Sequence, residues 1–254
     1  VVVALVAAFA QLPDPALPAP ETSIGTALAT VRGADRTARA TEPVRYEDAA
    51  LVMLDSYVVR DGRLPEGARN DRDARVWDLV RATLPDDAAT TVRQLNIVTD
   101  GRDGTLAMVH RSAVDATTWV LSIDPAEDDD VLVSTVVHEY AHMLTLRSED
   151  LLSLAAARSG CPGVRVELGC ALTGSALADW REAFWPADEP PRAGDLVSDY
   201  AGTSVHEDLA ESFMSWVLDE IDRPSAGVQA RFDFLASRPE LVAARDAVRS
   251  KLER

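Results

Sequence analysis

The sequence predicts an α+β fold: a small mixed sheet, one buried helix and a mostly helical C-terminal half, segregated along the chain rather than alternating. Three observations predict it. Short runs rich in Val, Ile, Leu and Thr, bounded by turn residues, lie between residues 92 and 123. The run over 131–146, VLVSTVVHEYAHMLTL, has helical length and is apolar on most sides, as a core helix is. Beyond Glu149 the apolar residues recur mainly at helical spacing.

Taken in order, Val1 to Ala10 read as the end of a secretory h-region, with Ala8 and Ala10 as the small residues of a cleavage site. The Pro-rich stretch 11–20 then suits an extended tether. Residues 1–42 are therefore expected to be the remnant of a signal or anchor segment plus a tether, with one folded domain over 43–254. Helical spacing is read over 46–59 and 72–84, separated by the turn-rich stretch 61–67. Strands are expected over 92–99, 105–110 and 118–123, with Asp100-Gly101 and Asp103-Gly104 as turns. The acidic run 124–130 stands where capping and the helix dipole favour carboxylates, just ahead of the buried helix. The helical remainder is broken at 160–169, at 185–194, and at Pro224 and Pro239.

Composition narrows the function classes. With 47% hydrophobic residues the chain can build a core. Its 42 Asp and Glu against 25 Lys and Arg give a net charge of −17, which repels phosphate backbones and anionic lipid surfaces. Nucleic acid is not an expected partner, and membrane contact is expected only through an N-terminal anchor. Cys161 and Cys170, the only two cysteines, flank a Gly-containing loop and are expected to form one disulfide in a secreted or extracellular, monomeric protein, free or tethered to the cell surface.

The chemistry begins at His138-Glu139-Tyr140-Ala141-His142. Residues i and i+4 of a helix share a face, so both imidazoles reach one metal ion and Glu139 lies beside its open position. A core helix has no reason to carry three titratable groups together unless a metal and its hydrogen-bonding partners satisfy them. Zinc is the metal this pattern suits.

A catalytic zinc needs a third protein ligand. Glu167, Asp179 and Glu182 remain open, but the better candidates lie in Val205 to Leu218, a second amphipathic helix. Projected at about 100° per residue, Asp208, Ser212, Ser215 and Asp219 form one stripe, read as the solvated face. Glu207 projects at the border of the apolar face, inward, with Glu211 one turn on to hydrogen-bond a metal-bound His. His206 ranks second as the ligand.

The pair HEYAH and SDYAGTSVHEDLAESF resembles the lethal-factor-like zinc metallopeptidases, a gluzincin-type group, over roughly residues 131–222. In that group a Tyr precedes the third-ligand Glu by seven residues and a second Glu follows it by four, a spacing that Tyr200, Glu207 and Glu211 reproduce. The cysteine loop and the segment 179–185 are unlike the toxin members. The resemblance implies a zincin-like domain in which His138, His142 and Glu207 hold one zinc ion, Glu139 is general base and Tyr200 stabilises the oxyanion. An edge strand beside the motif helix would accept the substrate backbone, with 118–123 the candidate. The expected activity is that of a zinc-dependent endopeptidase acting on peptides or proteins. Two alternatives use the same residues: a non-catalytic zinc-containing peptide-binding or surface interaction module, and a zinc amidase acting on cell-wall peptides.

Overall fold

The computed structural model describes residues 51–65, 70–99, 104, 106–186 and 189–253. The expected signal remnant and tether, and the turn residues at 100–103, lie outside the described residues. The first strand, β1 (Val52–Val58), stands where helical spacing was read. Its alternation is broken by an extra residue between Met53 and Asp55, which hides the period of two. Helix α1 (Asp71–Thr83) agrees with the sequence reading: Asn70 accepts a hydrogen bond from the Asp73 amide at 2.9 Å and so caps it, while Val76, Trp77 and Val80 bury one face. A short helix α2 (Asp86–Thr91) leads into β2 (Val92–Thr99), followed by β3 (Ala107–Arg111) and β4 (Trp119–Ile123).

These four strands form a mixed sheet in the order β1-β2-β4-β3. β1 and β2 pair antiparallel, β2 and β4 parallel, β3 and β4 antiparallel. The strand over 118–123 is therefore interior, not an edge. Its residues Trp119, Val120, Leu121, Ser122 and Ile123 are all buried, as a central strand requires, and the edge beside the motif helix is β3. Leu95, Ile97, Leu121 and Ile123 project from one face into a cluster with Trp77, Val80, Val136 and Val137.

The motif helix is α3 (Asp129–Thr145). Asp128 is its N-cap residue but makes no side-chain capping bond; Asp129 and Asp130 occupy the first turn, and Arg75 of α1 donates to Asp129 at 2.7 Å. The acidic run thus acts through the helix dipole and one ion pair rather than by side-chain capping.

The next region departs from the helical reading. β5 (Leu151–Ser153), a short helix α4 (Leu154–Ala157), β6 (Val164–Val166) and β7 (Gly169–Ala171) include a second sheet, of order β5-β7-β6. Strands of three residues are too short to display alternation. The expected Cys161–Cys170 disulfide clasps this sheet across a separation of 9 residues. Breaking it by reduction is expected to lower stability by about 2 to 3 kcal/mol on the chain-entropy account, read as a shift of the urea midpoint.

The remainder is helical as expected: α5 (Ala176–Phe184), α6 (Val205–Leu218), α7 (Ala226–Ala236) and α8 (Pro239–Leu252). Among the described residues no helix is long and apolar enough to cross a membrane. α6 packs against α3, and that crossing sets the site. Its supposed solvated stripe is mostly interior: Asp208, Ser212 and Ser215 are buried, and only Asp219, the C-cap, stands out in solvent. Asp208 accepts from Arg231 Nε at 2.8 Å, Arg231 Nη2 at 2.9 Å, Trp185 Nε1 at 2.8 Å and Trp180 Nε1 at 3.1 Å. A carboxylate that finds four donors from α5, α7 and the chain after α5 has no need of water.

Candidate metal centre

His138 and His142 lie one turn apart on the face of α3 that meets the first turns of α6. Both are buried, as are Glu139 and Glu207. His138 Nε2 is 3.1 Å from His142 Nε2, and Glu207 Oε2 is 3.0 Å from the first and 3.3 Å from the second. Three donors each bonded at 2.0 to 2.1 Å to a tetrahedral centre stand about 3.3 Å apart, so the triangle has the edge lengths of such a site. Glu207 Oε2 has no hydrogen-bond partner although it is buried. An anionic oxygen in that position costs several kcal/mol unless a cation satisfies it. The His138, His142 and Glu207 group can therefore hold a metal ion, and among the described residues no fourth His, Cys, Asp or Glu joins it.

The neighbours orient this set. Glu211 Oε1 is 2.7 Å from His138 Nδ1, so the Nδ1–H donates to the carboxylate and the Nε2 lone pair faces Glu207 and His142. Ser198 Oγ donates to Glu211 Oε2 at 2.6 Å and fixes that carboxylate in turn. Ser198 escaped the sequence reading, because a Ser in a loop carries no signal of its own.

The charges of the donor set are consistent with a cation site. Burial works against a charged His138, yet the Glu207 and Glu211 carboxylates hold its pKa well above the usual histidine value. Burial, with His138 and His206 nearby, lowers His142 despite the pull of Glu207. Burial would raise Glu207, but His142 and His138 keep it well below the usual carboxylate value. The arrangement couples one firmly anionic carboxylate to positive charge between the imidazoles, which a divalent cation supplies with both rings neutral.

Glu139 lies beside the triangle and accepts a hydrogen bond from the backbone of Val109 in β3. Burial, reinforced by Glu207, pushes its carboxyl up to about 7 against the opposing pull of His138 and Val109; a cation in the triangle would oppose that rise. Tyr200 opens a 3-10 turn, Tyr200–Thr203, immediately before α6, with its ring centroid 6.0 Å from that of His138. Burial first, then Glu207 and Glu139, raise its hydroxyl far above an ordinary phenol, so it is a donor throughout the neutral range. Tyr140 points the other way and packs edge-on against Phe213, as a core residue does.

The rival third ligands go elsewhere. Glu167 pairs with His206 Nδ1 at 2.8 Å, Asp179 pairs with Arg238, and Glu182 is exposed. His206 turns its Nε2 to the other oxygen of Glu207, Oε1, at 3.4 Å, and so supports the donor rather than replacing it.

Comparison with protein-family models, with curated proteins and with solved structures finds no match. The functional reading therefore rests on the residues and their geometry.

Proposed function

We propose that this chain is a zincin-like, lethal-factor-like zinc endopeptidase. The observation that carries the reading is the buried triangle of His138 Nε2, His142 Nε2 and Glu207 Oε2, with edges of 3.0 to 3.3 Å and a carboxyl, Glu139, beside it. Three protein donors of two nitrogens and one oxygen suit zinc in a catalytic rather than a structural setting, where a fourth protein ligand would close the site. Zinc, when bound, supplies Lewis acidity and lowers the pKa of a coordinated water to about 7.

The chain's own residues supply the rest. Glu139, held by Val109 beside the triangle, takes the proton of the attacking water and delivers it to the leaving amine. The Tyr200 hydroxyl donates to the oxygen that becomes negative as the carbonyl is attacked. Glu211 keeps His138 in the tautomer that presents Nε2. β3, the edge strand of the sheet beside α3, is where an extended peptide would add as a further strand. The disulfide favours an exported protein.

Tyr200→Phe is expected to lower kcat by about 10² to 10³ while zinc content stays at the wild-type level. Parallel loss of zinc and turnover would make Tyr200 a structural residue. A library of internally quenched, unstructured peptides tests the substrate class: chelator-sensitive cleavage at internal peptide bonds is expected. Cleavage confined to amide bonds of cell-wall fragments would replace endopeptidase by amidase.

A further inference from the structure

We infer that the disulfide-clasped hairpin of β6 and β7 positions the third metal donor, with Glu167 at its tip holding His206 and His206 holding Oε1 of Glu207. The inference rests on the metal reading above and adds to it a device that divides the two oxygens of Glu207. Oε1 faces His206 Nε2 at 3.4 Å, whereas Oε2 faces His138 and His142 at 3.0 and 3.3 Å. Carboxylates only accept, so His206 is the donor in whichever of these contacts is a hydrogen bond.

Nothing in the site as such requires a third buried imidazole. His206 is 4% exposed, its ring centroid is 5.5 Å from that of His142, and its Nδ1 is 2.8 Å from Glu167 Oε1 and 2.9 Å from Ser204 Oγ. Ser204 is also the N-cap of α6 and accepts from the Glu207 amide at 3.3 Å. The ring is thus fixed at both ends, to the start of the helix that carries Glu207 and to the hairpin tip.

The tip is itself held in place. Glu167 and Leu168 make the two-residue connection between β6 and β7, and Cys170 of β7 is bonded to Cys161 ahead of β6. Gly169 lies at φ +147°, and a Cβ there would come within 2.0 Å of the Leu152 carbonyl oxygen. At Gly163 a Cβ would come within 2.1 Å of the Ala171 carbonyl oxygen. The hairpin is packed too closely on β5 and on itself to tolerate side chains at either position, so Glu167 stands on a rigid support. Glu207 has three side-chain torsions and sits in the first turn of α6, the least constrained part of a helix. Glu167 and His206 are positioning residues: they act on the metal through Glu207.

Zinc affinity of the full chain, measured by competition with a chromophoric chelator, tests this. Glu167→Gln and His206→Ala are expected to weaken zinc binding about 10- to 100-fold. His206→Gln, whose amide nitrogen can stand near the place of Nε2 and donate to Oε1, is expected to recover part of the loss. Unchanged affinity in Glu167→Gln overturns the inference, and this variant decides it alone if His206→Ala fails to fold, because Glu167 is half-exposed at a hairpin tip. Equal loss in His206→Gln and His206→Ala also overturns it, since a donor at that place would then do nothing. A wild-type chain that takes up no zinc removes the metal reading itself; a wild-type chain that binds zinc, with variants that bind as tightly, removes only the role of the hairpin.

Discussion

Glu139→Gln is expected to bind zinc as the wild type does and to hydrolyse nothing measurable. The substitution keeps the shape and the hydrogen bonding of a buried side chain that touches the site from the flank, so the His138, His142 and Glu207 triangle is left intact. In the proposed mechanism it removes the group that accepts a proton from the attacking water. General acid-base catalysis contributes about 10² to 10⁴, and here one carboxyl serves both proton transfers, so the loss should lie at or beyond the upper end. Zinc content and peptide turnover measured on the same preparation check it. Retained turnover would rule out Glu139 as the base, and loss of zinc would mean that it supports the metal instead.

The second large effect is on stability. Asp208→Ala is expected to destabilise the fold by about 3 to 5 kcal/mol, because it leaves the Arg231 guanidinium buried without its counter-ion. Arg231 is 2% exposed, lies with its Cζ 4.7 Å from the Phe184 ring centroid, and has both Nε and Nη2 on Asp208. The indole donors of Trp180 and Trp185 lose the same acceptor. Urea unfolding should show the loss in the midpoint. The paired variant Asp208→Leu with Arg231→Met should recover most of it, since replacing both charges by apolar groups of similar size removes the unpaired charge. A single variant that costs under about 1 kcal/mol, the worth of an exposed pair, would show that water reaches this cluster.

That same aspartate marks where sequence reasoning stopped. The stripe of Asp208, Ser212 and Ser215 has the spacing of a solvated helix face, and nothing within α6 distinguishes it from one. What buries it, Arg231 and two tryptophans, comes from other elements brought together only by the fold. By contrast, His138, Glu139 and His142 were legible because their geometry is local: one helix fixes all three. Glu207 and Glu211 were legible for the same reason once their helix was projected, as each falls on the face turned to α3. His206 was ranked as a competing ligand because its true partner, Glu167, sits on a hairpin of three-residue strands that leave no periodic trace.

The sheet shows the same division. β2 and β4 are legible as short runs rich in Val, Ile, Leu and Thr beside turn residues, but pairing order is a property of the assembled sheet. The edge fell to β3 because β4 lies parallel to β2, which put β3 outside it. β1 does not show itself as a strand in the sequence because its bulge after Met53 breaks the alternation that identifies one.

Three donors from α3 and α6 are proposed to hold one zinc ion whose open position hydrolyses peptide bonds. The most direct test of this is casein hydrolysis by the full chain, stripped by a chelator, dialysed and titrated with zinc while bound metal is counted. No hydrolysis is expected without metal, and activity should rise in proportion to occupancy, levelling off at one ion per chain. Full occupancy without hydrolysis, or hydrolysis that survives removal of the metal, would contradict it.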